Sequence, residues 1–221
     1  MNRVLSLLTS LLGPHTYLVK SLVYRDGSAS ALNLRRADFV RFAALELARA
    51  EIESRKLPGA TAELGVYQGA FASQINTAFP DHKLYLFDTF EGFDRRDTSL
   101  EVEKGFSDGS QDFSDTSVQT VLGKMRHPGN CVVRKGHFPA TAEGIEDQFA
   151  FVSIDADLFQ PIYEGLRFFH PRLVHGGYIF IHDYNNDGYR GARDAVRRFC
   201  AEACVGFTPL PDFSGTAVIT R

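Results

Sequence analysis

The stretch TAELGVYQGAFASQINTA, residues 61–78, joins a short apolar run, a turn with two glycines and a segment with helical spacing. A run of this kind predicts a buried strand, and the glycines permit a tight turn that a ligand can approach closely. Gly65 and Gly69 are spaced as GxxxG, which differs from the GxGxxG pattern of dinucleotide-binding turns. The stretch therefore predicts one strand-turn-helix unit of an α/β sheet.

Short apolar runs continue to alternate with longer segments on the carboxyl side of this unit. We predict seven strands, at residues 60–64, 84–87, 131–134, 149–154, 178–181, 206–210 and 216–220. Segments long enough for right-handed crossovers separate the first five strands, whereas a short turn joins the last two. The predicted fold is therefore α/β, with a mostly parallel, doubly wound sheet whose last strand is antiparallel.

The remaining segments define the domain organisation. Residues 37–55 have apolar residues at helical spacing and precede Pro58-Gly59, so they predict a helix that opens the main domain, 37–221. Residues 1–36 are expected to form an N-terminal helical extension. Their apolar run, 4–12, is well short of the roughly 20 residues of a membrane span. The polar stretch 94–116 is a candidate lid over a ligand.

The composition excludes several classes of protein. There are 24 Lys and Arg residues against 27 Asp and Glu residues, and the net charge of −3 supplies no basic field for nucleic acid. We expect no stable membrane insertion. Three cysteines, Cys131, Cys200 and Cys204, are too few for a disulfide framework, so we expect reduced thiols and a cytoplasmic protein.

Two carboxylates mark a candidate ligand site at the first two strands. Glu63 lies at the glycine turn, where it favours a ligand with an amine or sulfonium group over a pyrophosphate. Asp88 ends the second strand 23 residues after Gly65, a distance at which an acid can accept the hydroxyls of a ribose. The alternative is that both are ordinary loop or capping carboxylates.

Polar residues also follow the fourth and fifth strands. They are Asp155, Asp157, His182 and Asp183. Neighbouring carboxylates repel one another without a cation, and oxygen ligands with one imidazole suit Mg²⁺ or Mn²⁺. If strand geometry continues, Asp155 and Asp157 share a face, so one can bind metal while the other acts as a base. The alternatives are a helix cap for Asp157 and a packed, structural role for His182.

The other histidines carry less information. His137 follows the third strand, where it either faces the ligand and moves a proton or faces the surface. His170 and His175 flank the turn before the fifth strand, and we expect both to be structural.

Four motifs together resemble the macrocin O-methyltransferase family. They are AELGVYQG at 62–69, LFDTFEGF at 86–93, IDADLF at 154–159 and GGYIFIHDY at 176–184. The resemblance spans residues 37–199. It implies a Rossmann-like class I methyltransferase that binds S-adenosylmethionine and uses Mg²⁺ to hold a sugar or polyol hydroxyl during methyl transfer. It also implies a small-molecule or saccharide acceptor and a homodimer.

The resemblance assigns roles to matching positions. The cofactor positions are Glu63, Gly65, Tyr67, Gly69, Asp88, Thr89 and Asp155. The metal positions are Asp155, His182 and Asp183. Asp157 falls on the general-base position, and His137 is added as a second catalytic candidate. Relatives often carry an aspartate where this chain has His182, so either the imidazole ligates the ion or the site has one fewer charge.

Three other functions remain open at this stage. A nicotinamide-dependent oxidoreductase would use the turn and Asp88, but the GxGxxG pattern is missing. A noncatalytic relative would bind the cofactor or a partner protein, and a metal-dependent phosphohydrolase would use Asp155 and Asp157. The acceptor stays open among a polysaccharide, a natural-product glycoside and a free sugar derivative, because loops build substrate pockets.

Overall fold

The computed structural model describes residues 39–221, so the expected extension at residues 1–36 lies outside the described residues. The helices are α1 Phe39–Ser54, α2 Ala70–Ala78, α3 Arg95–Lys104, α4 Val118–Leu122, α5 Phe159–Phe169 and α6 Arg190–Ala203. The strands are β1 Ala60–Leu64, β2 Leu84–Asp88, β3 Cys131–Lys135, β4 Phe149–Ile154, β5 Leu173–Ile181, β6 Thr208–Leu210 and β7 Thr216–Thr220. None of the described helices is long and apolar enough to cross a lipid bilayer.

All seven strands form one sheet in the order β3-β2-β1-β4-β5-β7-β6. The strands β1 to β5 pair in parallel, and β7 pairs antiparallel with both β5 and β6. The predicted doubly wound sheet with an antiparallel last strand is confirmed. The strand order reverses between β1 and β4, so the carboxyl ends of these two strands mark the place where such sheets bind ligands.

The sheet is covered on both faces, because residues of one strand point alternately to opposite sides. In β2, Leu84 and Leu86 belong to the apolar cluster that includes residues of α1 and α2, while Tyr85 and Phe87 belong to the cluster that includes residues of α5 and α6. Each of these side chains is buried. Burial on both faces explains why the strands appear in the sequence as continuous apolar runs.

The fifth strand begins earlier than the sequence predicts, at Leu173 rather than at residue 178. Phe149 of β4 pairs with Leu173 and Phe151 pairs with Tyr178, so five residue steps on β5 oppose two on β4. The extra residues make this part of β5 irregular. His175 therefore lies within β5, where it is exposed, and not in a turn before it.

The polar stretch 94–116 is partly helical, because Asp94 is an N-cap that accepts a hydrogen bond from the amide of Arg96 at 2.9 Å. Helix α3 runs from there to Lys104, and Gly105 ends it in the left-handed conformation. The expected lid thus consists of α3 and most of the irregular segment, residues 106–117, that follows it. Whether it opens and closes stays a prediction.

Candidate active site

A cavity of about 490 Å³ opens at the carboxyl ends of β1, β2, β4 and β5. It is lined by almost all of the residues that the sequence analysis singled out for chemistry. They are Glu63, Gly65, Tyr67, Asp88, Thr89, His137, Asp155, Asp157, His182 and Asp183. Gly69 is the exception. It is the residue before α2, and a side chain there would contact Val121 and Met125 instead of the cavity.

Glu63, near the end of β1, is a buried carboxylate without full compensation. Its side chain is fully enclosed, and its Oε2 atom has no hydrogen-bond partner among the described residues. Burial raises the pKa of Glu63 well above its ordinary value, Asp155 and Asp88 raise it further, and Arg41 opposes the rise. A buried carboxylate oxygen without a hydrogen-bond donor costs free energy. A cationic ligand group in the cavity would remove this cost by pairing with Oε2.

Asp88 fastens the glycine turn to the end of β2. Its Oδ2 atom accepts hydrogen bonds from the amides of Val66 and Tyr67 at 2.7 and 2.8 Å. Its Oδ1 atom accepts one from the amide of Phe90 at 2.6 Å. These bonds occupy most of the lone pairs of the carboxylate. A ribose bound here would share the carboxylate with the turn that the carboxylate organises.

Arg41 is a site residue that the sequence analysis missed. It lies on α1, it is buried, and its guanidinium stacks 3.8 Å from the centre of the Phe71 ring. Its Nη2 atom donates to Asp155 Oδ2 at 2.9 Å and to Ser153 Oγ at 3.3 Å. Its Nε atom has no hydrogen-bond partner in the described part of the chain. The sequence contained one signal for a buried Arg41, because this arginine lies on the same face of the predicted helix as Leu45.

The tips of β4 and β5 bring together the three residues predicted to hold metal. His182 Nδ1 lies 3.0 Å from Asp155 Oδ1 and 3.0 Å from Asp183 Oδ2. One ligand atom from each of these residues lies within 4.8 Å of the others. Two carboxylates and an imidazole form a donor set that fits a divalent cation.

The negative charges of this cluster are balanced by the guanidinium of Arg41 and by a proton on His182. Burial alone would lower the pKa of His182, but Asp155 and Asp183 raise it to about 10. Burial alone would raise the pKa of Asp155, but Arg41 and His182 hold it below the ordinary value. His182 therefore carries a proton between the two carboxylates. A metal ion would compete with this proton for the same atoms.

Asp157 lines the cavity, but not because it continues strand β4 as the sequence predicted. Strand β4 ends at Ile154, and Asp157 has a left-handed backbone with φ of 57°, so the alternation of strand side chains does not extend to it. Its carboxyl still lies beside that of Asp183. Burial raises the pKa of Asp157, and the charges of Asp183 and Asp155 raise it further. The residue before α5 is Leu158, so Asp157 is not its N-cap.

His137 faces the cavity and is paired with Asp97, an acid that the sequence analysis did not single out. His137 Nε2 lies 3.1 Å from Asp97 Oδ2, and both side chains are mostly buried. Burial raises the pKa of Asp97, and the contact with His137 opposes that rise. Because Asp97 belongs to α3, this contact ties the candidate lid to the loop after β3.

The rim of the cavity is aromatic. Phe113, from the segment 106–117, packs edge-on against Tyr67 and Phe93, with ring centres 5.1 and 5.0 Å apart. Phe93 also contacts Tyr189 at 6.3 Å. The Thr116 hydroxyl donates to the carbonyl of Tyr67, so the segment is hydrogen-bonded to the glycine turn.

The described fold and site define a Rossmann-like methyltransferase, with a doubly wound sheet and an acidic cavity at its switch point. The model of the macrocin-O-methyltransferase (TylF) family matches residues 37–221, and the chain belongs to this family. It is accordingly an S-adenosylmethionine-dependent O-methyltransferase. Membership distinguishes it from the nicotinamide-dependent and phosphohydrolase alternatives.

Solved structures share this fold at low identity. The O-methyltransferase NovP is 18% identical with a TM-score of 0.68, over 83% of this chain and 80% of that one. CalS11, a calicheamicin methyltransferase, is 19% identical with a TM-score of 0.67, over 85% and 80%. An apo structure of CalS11, described as a TDP-rhamnose 3'-O-methyltransferase, has 18% identity and a TM-score of 0.57, over 85% and 81%.

A third solved protein carries the demethylated cofactor. The SAH-bound Podospora anserina methyltransferase PaMTH1 is 16% identical with a TM-score of 0.51, over 80% of this chain and 77% of that one. No curated protein matches the sequence.

Proposed function

We propose that the protein transfers the methyl group of S-adenosylmethionine to a hydroxyl of a sugar, a glycoside or a related polyol, assisted by Mg²⁺ or Mn²⁺. The observation that carries the proposal is the position of the unpaired Glu63 carboxylate in the same cavity as the Asp155, His182 and Asp183 cluster. The first fits a cationic cofactor, and the second fits a cation that holds hydroxyl oxygens. CalS11, described as a TDP-rhamnose 3'-O-methyltransferase, supports the sugar acceptor by likeness of fold.

The cofactor end of the site is built from β1 and β2. Glu63 faces the charged methionine end, and Gly65 and Tyr67 bring the backbone of the turn close to the ligand. Asp88 and Thr89 are assigned to the ribose. Because the methyl group of a sulfonium is already activated, the main task of these residues is to align it with the attacking oxygen.

The acceptor end is built from β4 and β5. Asp155, His182 and Asp183 would hold a divalent cation, whose positive charge would lower the pKa of an acceptor hydroxyl. Asp157 is assigned to accept the proton of that hydroxyl. His137 is the second candidate for moving this proton, and Asp97 keeps its ring in place.

The candidate lid, residues 94–116, is proposed to close over the bound cofactor and exclude water. Its support is the contact of Phe113 with Tyr67 and the hydrogen bond from Thr116 to the turn. Hydrogen exchange of this segment should slow when S-adenosylhomocysteine binds. Unchanged exchange at saturating ligand would count against closure.

The homodimer and the cytoplasmic location also stay proposals. The three free cysteines support a reducing compartment. Analytical ultracentrifugation of the full chain and fractionation of the producing cells would test the two proposals separately.

The experiment for the proposed function is calorimetric titration of S-adenosylhomocysteine into the metal-stripped protein, with and without Mg²⁺. We expect micromolar binding that Glu63→Ala abolishes and a separate Mg²⁺ response that Asp155→Ala abolishes. Glu91→Ala is the matched control, because Glu91 is an exposed acid paired with Lys135 on the surface. Absence of binding in every condition would refute the proposal.

The acceptor class is tested with radiolabelled S-adenosylmethionine and a panel of free sugars, neutral glycosides and nucleotide sugars. We expect label in at least one of these classes, and we expect Asp157→Asn to reduce its incorporation by about 10²–10⁴-fold. The role assigned to the metal is to hold two vicinal hydroxyls of the acceptor, so label found only in acceptors without a vicinal diol would contradict it.

A further inference from the structure

Two buried atoms of opposite character lack partners in the cavity. They are Arg41 Nε and Glu63 Oε2, and neither has a hydrogen-bond partner among residues 39–221. We infer that Arg41 binds the carboxylate of the cofactor's methionine while Glu63 binds its ammonium group. The inference rests on the proposed function, because it assumes that S-adenosylmethionine occupies this cavity.

Arg41 is held in place before any ligand arrives. Its guanidinium lies on the Phe71 ring, and its Nη2 atom is bound to Ser153 and Asp155. These three contacts fix the plane of the guanidinium, and they leave the Nε atom with an unused hydrogen. A fixed donor loses little freedom when it binds an anion, which favours affinity.

The pairing of the two unpartnered atoms selects the ligand. A neutral ligand would leave both Arg41 and Glu63 without a charged partner. A simple cation would pair with Glu63 and leave Arg41 without a partner, and a simple anion would do the reverse. An α-amino acid carries an ammonium and a carboxylate on one carbon, so it satisfies both. Charge-assisted hydrogen bonds of this kind are stronger than neutral ones.

The contact with Asp155 gives Arg41 a second effect. One guanidinium adjoins both the expected cofactor and a residue of the expected metal site, at 2.9 Å from Asp155 Oδ2. A change at Arg41 can therefore disturb the metal site. The test must separate this disturbance from the loss of a bond to the ligand.

The test compares four ligands by calorimetry without added metal. They are S-adenosylhomocysteine, its analogue without the carboxylate, its analogue without the amine, and 5'-methylthioadenosine, which lacks both groups. We expect wild-type protein to bind the first at least tenfold more tightly than each of the others. Equal affinity for S-adenosylhomocysteine and the analogue without the carboxylate would overturn the role of Arg41.

Variants assign the effect to the two side chains. Arg41→Met should weaken the binding of S-adenosylhomocysteine about 10–100-fold. Its affinity for the analogue without the carboxylate should stay within about threefold of the wild-type value. Arg41→Lys should restore part of the loss. Glu63→Gln is the matched control, since it should weaken the binding of only those ligands that carry the amine. Equal losses for both analogues in Arg41→Met would show that Arg41 acts through Asp155.

Failure of the inference and failure of the proposed function give different results. If wild-type protein binds none of the four ligands, the proposed function fails, and the inference fails with it. If it binds all four with similar affinity, the protein still binds the adenosine part of the cofactor, but the roles of Arg41 and Glu63 at its methionine end both fail. If Arg41→Met does not fold, equal wild-type affinity with and without the carboxylate still overturns the inference, and Arg41→Lys assigns an observed difference to this side chain.

Discussion

Gly65 occupies a position where a side chain cannot be accommodated. Its φ is +84°, and a Cβ atom there would collide with the backbone carbonyl of Asp155. We predict that Gly65→Ala destabilises the protein by about 3 kcal/mol or more, because conformational strain and a backbone clash add. Chemical denaturation with urea measures this loss.

Gly105 provides the matched control for that substitution. Its φ is also positive, +65°, but no atom lies within 4 Å of the place where its Cβ would be. Gly105→Ala should therefore cost only the strain of the left-handed conformation, about 1–2 kcal/mol. Equal losses at the two glycines would show that the clash with Asp155 is relieved without cost.

His170 makes the stability of the fold sensitive to mild acid. Burial lowers the pKa of His170, and the charge of Arg221 lowers it further. The unfolded chain therefore takes up this proton first, so His170 reduces the free energy of unfolding as pH falls below about 6.5. We predict that His170→Gln reduces the loss of stability between pH 7.5 and pH 5.5, measured by urea unfolding at both values.

The exposed His175 on β5 serves as the control for that experiment. His175→Gln should leave the difference between the two pH values unchanged. An identical difference for wild type and His170→Gln would remove His170 as a source of acid sensitivity.

The carboxylates and His182 could be predicted from the sequence because they stand directly after apolar strands, and such positions converge in a parallel sheet. Arg41 and Asp97 could not be assigned in this way. Each is carried by a helix, and its contact with the cavity depends on how that helix docks. The unexpected backbone of Asp157 has a similar origin, because the end of β4 is set by its pairing with neighbouring strands.

At the scale of elements, α3 is joined to the domain by a buried acid. Glu101 is almost fully buried, and its Oε1 atom accepts a hydrogen bond from the amide of Phe159 at the start of α5. A Cβ on Gly191 would lie 2.5 Å from the same oxygen, so α6 also approaches closely. Burial raises the pKa of Glu101, and the bond from Phe159 opposes the rise.

We predict that Glu101→Ala loosens α3 without unfolding the sheet. Amide exchange in α3 and at Phe159 should accelerate by about tenfold or more, equivalent to ~1.4 kcal/mol of opening free energy. Glu103→Ala is the control, because Glu103 is exposed on the same helix. Equal exchange in the two variants would show that other contacts, such as that between Asp97 and His137, hold α3 alone.

The sequence predicted helices and strands best where the apolar pattern was strong. Helix α2, at Ala70–Ala78, ends at the same residue as the predicted strand-turn-helix unit, 61–78. Helix α3 was not predicted, because few residues of the polar stretch 94–116 are apolar. The early start of β5 was also missed. Its irregular pairing with β4 depends on the partner strand, which local sequence does not reveal.

At the scale of the whole molecule, we predict that Mg²⁺ or Mn²⁺ stabilises the folded protein. A ligand present at 100 times its Kd contributes about 2.7 kcal/mol, equivalent to a rise in Tm of roughly 5–10 °C for a domain of this size. Differential scanning calorimetry of the metal-stripped protein measures the rise.

Variants locate that stabilisation. Asp155→Asn and Asp183→Asn should abolish the rise in Tm, and Asp187→Asn, an exposed acid nearby, should leave it intact. His182→Ala shows whether the imidazole is a ligand. A rise of equal size in Asp155→Asn, Asp183→Asn and wild type would place the ion elsewhere.

The two outer strands of the sheet differ in their capacity to recruit a foreign chain. Among the described residues, β6 is three residues long and contains Pro209, which has no amide hydrogen, whereas β3 is five residues long and lacks proline. Extended peptides add to sheets through free backbone groups, and proline blocks that addition. Aggregation by strand exchange should therefore begin at β3, and Val133→Pro on that strand should slow fibril growth in protein that has been partly unfolded.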